Sequence, residues 1–249
     1  MDVALTAVGA THRGRVRSQN QDQYWIATQP WGVVVAVADG IGGYQGGAEA
    51  SALAVAVLAR ELGAAQAMGP QRLRRAVEAA NRTIFEVGRG RPELNGMGTT
   101  LTVCWVAASG VWVAHVGDSR AYRVGAEGLE RLTTDHSVAA EMERSGTLSP
   151  EEAEQHPQRH VLTRALGPFP AVEVEMTHWP WRPGDRLLLC SDGLFNAVPE
   201  RRIHELLRRF RGQAGVDALI QAALDEGGQD NVTVILVEDQ SPVEVPDGR

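Results

Sequence analysis

Lysine is absent from this chain: all 24 basic residues are arginine. That removes the lysine of a phosphate-binding GKS/T loop, the VAIK lysine of kinases and any Schiff-base chemistry. Cysteine is scarce. Cys104 and Cys190 both lie in apolar, strand-like runs and lack CxxC spacing, so they read as buried thiols rather than a zinc or redox pair. No apolar run reaches the length of a membrane span. Met1–Ala4 opens without the basic region and apolar core of a signal peptide, so the expectation is a cytoplasmic protein with no membrane partner. Positive charge is also short, 24 basic against 31 acidic residues for a net charge of −7, which argues against binding nucleic acid through its phosphates.

What is present is organised around Val33-Val34-Val35-Ala36-Val37-Ala38-Asp39-Gly40-Ile41-Gly42-Gly43. Six apolar residues, mostly β-branched, read as a strand buried on both faces. It runs into a carboxylate, then into glycines that let the backbone turn and approach a ligand. Leu187-Leu188-Leu189-Cys190-Ser191-Asp192-Gly193 repeats the design. Two buried strands ending in Asp-Gly suggest two carboxylates brought to one place.

The rest of the chain supplies support. Val3 to Thr11 reads as an opening strand, Arg13 to Asp22 as a polar loop with three arginines, and Gln23 to Thr28 as a second strand. Gly46 to Ala67 and a segment begun by Pro70 carry apolar stripes at helical spacing. They should pack on the sheet that holds Asp39. Thr99 to Thr133 reads as an antiparallel meander with Asp118 at a turn. From 134 to 166 the chain is charged and thin in large apolar residues, the pattern of a mobile flap. Strands return at Ala171–His178 and Asp185–Cys190, then helices from Pro199 and Val216, then a strand from Val232 to Val237. Residues 1–240 read as one domain, and 241–249 as a frayed acidic tail.

Asp39, Asp118, Asp192 and Asp230 all fall where a strand meets a turn. Aspartate is ordinary turn chemistry, but four such acids, two of them after long buried strands, invite convergence. Two carboxylates about 4 Å apart repel by roughly 4 kcal/mol at an effective dielectric near 20, so a cation must offset the charge. Oxygen ligands without His or Cys at ligand spacing favour Mg²⁺ or Mn²⁺ over zinc. Two such ions can hold a water for in-line attack on phosphorus, and arginine, with its planar fork, suits the phosphoryl oxygens.

RGRVRSQNQD, VADGIGG, GTT, GDSRAY, TTDHS, LTRALG, LLLCSDGL and DNVT occur in this order. Together they closely resemble the bacterial branch of the metal-dependent Ser/Thr protein phosphatases, the PPM or type 2C family, over roughly Ala7 to Val237. The resemblance implies an α+β fold, a four-layer α/β/β/α sandwich of two antiparallel sheets flanked by helix pairs, with a small flap. It implies hydrolysis of phosphoserine and phosphothreonine on proteins, reversing a bacterial Ser/Thr kinase, with two Mn²⁺ or Mg²⁺ ions and a weaker third. Asp39 would bridge both metals and orient the water, and the Gly40 carbonyl would bind the first. Asp192 and Asp230 would hold the second, and Asp118 with Asp192 the third. Asp22 would act through water. Arg17 would grip the phosphate, Asn231 would support the Asp230 loop, and Thr99 and Thr100 would pack beneath the site. Arg13 and Arg15 are left as surface. Tyr44 and His136 are taken as substrate-facing, and the expected oligomeric state is a monomer.

Ile41 stands where animal members have a histidine credited with protonating the leaving group, and Tyr44 where bacterial members usually have one. A metal-bound water is the acid suggested in their place. Gln21 and Ala48 each replace a usual glutamate. A non-catalytic, phosphoprotein-binding regulator of the same fold is the alternative, and a structural calcium module a third reading that leaves Arg17 unexplained.

Overall fold

A computed structural model describes residues 5–42, 46–125, 128–182 and 184–240. Tyr44 and the 241–249 tail lie outside them. The chain begins with β1 (Leu5–His12), β2 (Asp22–Gln29) and β3 (Gly32–Ile41), followed by α1 (Gly46–Leu62) and α2 (Pro70–Gly90). Next come β4 (Gly98–Thr99), β5 (Leu101–Ala107), β6 (Gly110–Val116), β7 (Arg120–Val124) and β8 (Leu129–Arg131). The flap region holds α3 (Val138–Arg144) and α4 (Pro150–Gln155). The chain closes with β9 (Glu175–Trp179), β10 (Arg186–Cys190), α5 (Asp192–Phe195), α6 (Glu200–Arg209), α7 (Gly212–Asp225) and β11 (Val232–Asp239).

Two antiparallel sheets result. One has the strand order β2-β3-β5-β6-β9, with β4 attached to β3; the other runs β1-β11-β10-β7-β8. Strand alternation explains the layering. Val33, Val35 and Val37 of β3 meet Leu187 and Leu189 of β10 and Ile235 and Val237 of β11 in the gap between the sheets. The intervening Val34, Ala36 and Ala38 face α1 and α2. On the other side Leu188, Cys190, Val234 and Leu236 face α6 and α7. Each of these strands is therefore apolar on both faces, and burying each large aliphatic side chain stabilises the fold by roughly 1.5–3 kcal/mol. Pro70 opens α2 as its first residue, where a missing N–H costs nothing. Cys104 and Cys190 are buried free thiols.

Several elements differ from the expectation. The stretch from Thr99 to Thr133 is not one meander. β6 pairs with β5 and β9 in the first sheet, whereas β7 pairs with β10 and β8 in the second. The chain changes sheets at Gly117-Asp118-Ser119. Gly117 has φ of 111°, and a Cβ there would stand 2.6 Å from Thr100 Cβ, so the crossover requires glycine. Asp39 lies inside β3 rather than after it, because Gly40 and Ile41 continue pairing with Thr99 and Gly98. Asp192 starts a helix instead of a turn. The strand expected over Ala171–His178 begins only at Glu175, and the first long helix ends at Leu62 rather than Ala67.

Candidate active site

The site forms at one end of the gap between the sheets. Asp22 and Asp39 are directly opposed on the antiparallel pair β2–β3. Like charges so placed destabilise a sheet, so this pairing needs a reason. Alternation carries the face of Val33, Val35 and Val37 on to Asp39. From the facing sheet the same rule brings in Ser191, after Leu187 and Leu189, and Thr233, before Ile235 and Val237. Asp22 is buried at 1% exposure. Its Oδ2 accepts hydrogen bonds from Ser191 Oγ and Thr233 Oγ1, both at 2.7 Å. Its Oδ1 is buried with no hydrogen-bond partner.

Asp39 is fixed through its backbone. Its N–H donates to Thr100 Oγ1 at 2.9 Å, and its carbonyl accepts from Thr99 Oγ1 at 2.9 Å and Thr100 N–H at 2.8 Å. Thr100 Oγ1 in turn meets Ser119 Oγ at 2.8 Å, which ties β3 to the crossover that carries Asp118. Asp192 accepts a hydrogen bond from Asn196 Nδ2 at 3.1 Å. Asp230 accepts from the Asn231 N–H at 2.8 Å and from Arg17 Nη2 at 2.7 Å. Asn231 does more than steady its neighbour. Its Oδ1 accepts the Gln21 N–H at 2.8 Å, and its Nδ2 donates to the carbonyls of Arg13 and Gln19 at 2.8 and 3.0 Å. It holds the whole 13–21 loop against the start of β11.

The electrostatics record the convergence. Asp39 is raised well above the usual carboxylate range, first by desolvation and then by the charges of Asp22, Asp192, Asp118 and Asp230. Desolvation, with the charges of Asp192 and Asp230 behind it, lifts Asp22 to about 7 against the hydrogen bonds of Ser191 and Thr233. Asp118 rises to about 8 through desolvation and the charges of Asp192 and Asp135. Asp192 rises to about 6 through desolvation and the charge of Asp230. Four carboxylates, those of Asp22, Asp39, Asp118 and Asp192, are all raised by burial and by neighbouring acids, the electrostatic condition that a cation would relieve.

A divalent ion fits the donor set. The ligands are hard oxygens, and the orphaned Asp22 Oδ1 is an acceptor without a donor. Among the described residues no three His, Cys, Asp or Glu side chains are closed into one cage. Mg²⁺-type ions are commonly held by only one or two carboxylates, with waters completing the shell, so an open arrangement suits them.

His136, expected to face substrate, does not. It is 2% exposed. Its Nδ1 accepts the Gly117 N–H at 3.1 Å, its Nε2 lies 3.3 Å from Glu175 Oε2, and its ring packs on His115 at 4.8 Å. It belongs to the foundation of the Asp118 turn, because the backbone on either side of it is tied down to Gly117 and Thr163. A cleft of about 620 Å³ opens beside Asp118, between the flap and α5–α6. Its floor holds Arg120, paired with Asp135 at 2.7 Å and lying 3.7 Å above the Phe195 ring.

Ser191, Thr233 and Ser119 were not anticipated as parts of the site. For Ser191 and Thr233 the signal was available, since each is a lone hydroxyl residue towards the end of an apolar strand face; Ser119 lies in the crossover between β6 and β7, where periodicity gives none.

Comparison with known proteins agrees with this architecture. The family described as Protein phosphatase 2C matches residues 8–226, a stretch that ends before Asp230. The chain is 40% identical to the serine/threonine phosphatase stp of Listeria monocytogenes over 92% of this chain and 93% of that one. It is 37% identical to the crystal structure of the Mycobacterium tuberculosis serine/threonine phosphatase PstP/Ppp, with a TM-score of 0.87 over 95% of this chain and 99% of the other. A crystal structure of the catalytic domain of the phosphatase PstP in complex with two manganese ions is 34% identical, with a TM-score of 0.81 over 94% of this chain and 97% of that one.

Proposed function

The chain belongs to the protein phosphatase 2C family and is a metal-dependent protein serine/threonine phosphatase, and from that premise we propose that the aspartate cluster is its metal centre and Arg17 its phosphate clamp. In this reading Asp39, the Gly40 carbonyl, Asp192 and Asp230 hold two Mn²⁺ or Mg²⁺ ions. Asp118 and Asp192 hold a weaker third, and Asp22 acts through water. Ions so held supply Lewis acidity and lower the pKa of water for attack on phosphorus.

The chain's own residues then have distinct tasks. Asp39 orients the attacking side of the site, because its backbone is gripped by Thr99 and Thr100 and cannot swing. Ser191 and Thr233 keep the Asp22 carboxylate aimed into the gap. Arg17 is 54% exposed at its side chain and bonded to Asp230. It can keep that bond through one nitrogen and offer its remaining donors to a phosphoryl oxygen, as a planar fork allows. The substrates are phosphoproteins; a cognate Ser/Thr kinase as the opposing enzyme and a monomeric, cytoplasmic protein belong to the same proposal. Among the described residues no helix is long and apolar enough to cross a membrane.

The observation that carries the reading is that Asp22 lies directly across β2–β3 from Asp39, buried, with one carboxylate oxygen held by Ser191 and Thr233 and the other unpartnered. The test is hydrolysis of a phosphothreonine peptide after chelation and after Mn²⁺ is returned, beside Asp192→Ala. Activity restored by Mn²⁺ in the parent and absent from the variant is the expected result. Full activity in Asp192→Ala overturns the metal assignment, and Mn²⁺-insensitive binding without turnover favours the regulator.

A further inference from the structure

The loop from Arg13 to Arg17 places three guanidinium groups within five residues of a chain whose net charge is −7. Its backbone is held firmly. The Arg15 N–H donates to the Gly228 carbonyl at 2.7 Å, and the Arg13 carbonyl accepts from Asn231 Nδ2 at 2.8 Å. Gly14 has φ of 79°, and a Cβ there would come within 2.2 Å of the Asp230 carbonyl oxygen, so the loop lies flush on the strand start that carries Asp230. The side chains do the opposite: Arg13, Arg15 and Arg17 are all exposed. Among the described residues the only ion pair in this loop is Arg17 with Asp230. Arg13 donates to the Ser18 carbonyl at 3.1 Å, a neutral acceptor, and no acid pairs with Arg15. Among the described residues two cations without an acidic partner therefore stand on a firmly held loop, next in sequence to the clamp.

We propose that Arg13 and Arg15 form a second anion subsite, which takes a phosphate or carboxylate side chain lying close in sequence to the phosphoresidue being hydrolysed. The proposal rests on Arg17 being the phosphate clamp. The occupant follows from charge complementarity and from nearness along the chain to the clamp: Arg13 and Arg15 stand four and two residues before Arg17 on the same anchored loop. Arg15 is two residues from Arg17, and an extended segment advances about 3.3 Å per residue, so the second anion belongs about two to three residues from the first. Such a strip also offsets the repulsion that an anion-rich segment meets from the acidic protein, and its effect falls with salt.

The test measures kcat/KM of the full chain with Mn²⁺ on three phosphothreonine peptides that differ at one nearby position: neutral, glutamate or a second phosphothreonine. At low salt the wild type should favour the anionic peptides by about three- to tenfold, the range that two exposed charge contacts provide, and mainly through KM. Added salt should shrink the ratio. In Arg13→Gln/Arg15→Gln the ratio should collapse towards one, and Arg15→Lys should keep part of it. If the double variant melts early, Arg15→Gln alone carries the test, since the Arg15 contact to Gly228 is made by its backbone. No preference in the wild type, or an undiminished one in the glutamine variants, overturns the proposal. A preference for the second phosphate but not for glutamate limits the occupant to phosphate. Arg17→Gln separates the two readings: if it leaves turnover of the neutral peptide intact, the clamp fails, whatever the peptide ratio shows.

Discussion

The gap between the two sheets has two ends built from the same strands. Towards the middle, Val35 and Val37 face Leu189 and Ile235 in a dry apolar layer. One alternation step further, the same strand faces present Asp39, Ser191 and Thr233, with Asp22 directly across from Asp39. The alternation of side chains carries through from one end to the other; what changes is their chemistry. The apolar end is stable as it stands, because it removes surface from water. The acidic end is held in place against its own repulsion by that layer. A rigid core thus fixes carboxylates that would otherwise move apart, the preorganisation that the proposed metal centre requires.

The sharpest way to break this comparison is to neutralise the acidic end. Asp39→Asn should lower kcat/KM on a phosphopeptide by on the order of a thousandfold or more, since it strikes the proposed metal centre. The same change should raise the melting temperature of the metal-free protein by relieving repulsion. Loss of activity with a lowered metal-free melting temperature would mean that Asp39 stabilises the fold by itself. Emptying the apolar end should do the reverse. Leu189→Ala should cost about 2–5 kcal/mol in urea unfolding, while the Mn²⁺ concentration giving half-maximal activity moves little.

Thr233→Val tests the join between the two ends. It removes one of the two donors to Asp22 Oδ2 and should raise the Mn²⁺ requirement by about tenfold, as loss of a hydrogen bond behind a ligand commonly does. Titration of metal binding by calorimetry would read it directly.

pH reads the same repulsion across the whole acidic end. Asp192, Asp22 and Asp118 have folded pKa values raised to about 6, 7 and 8, above the unfolded value near 4. Between those limits the folded state binds more protons than the unfolded one, so stability falls as pH rises. The metal-free melting temperature should therefore decline from pH 5 to pH 8.5. Mn²⁺ should recover most at the alkaline end, and a flat profile would deny the mutual repulsion.

Much of this was legible in the residues. The two buried strands that lead to Asp39 and Asp192, the two helices after the first of them and the proline that opens α2 all follow from local periodicity and capping chemistry. The crossover at Gly117-Asp118-Ser119 was not legible. Gly, Asp and Ser make a tight turn whether the next strand joins the same sheet or the opposite one, and only the pairing of β7 with β10 decides between them. His136 shows the same limit: a histidine in a charged segment looks solvated until the Gly117 turn and Glu175 close around it.

By itself the chain's chemistry determined the exclusion of lysine-dependent mechanisms, the strands that carry the acids and the family they belong to, and it favoured oxygen donors for the proposed metal centre. Only the tertiary structure decided that Asp22 would sit across from Asp39 with one oxygen unpartnered, and that Arg17 would bond Asp230, 213 residues away in sequence. The physical reason is range. Periodicity and propensity act over a few neighbouring residues, whereas these meetings depend on strand register and on how one sheet's face seats against the other's.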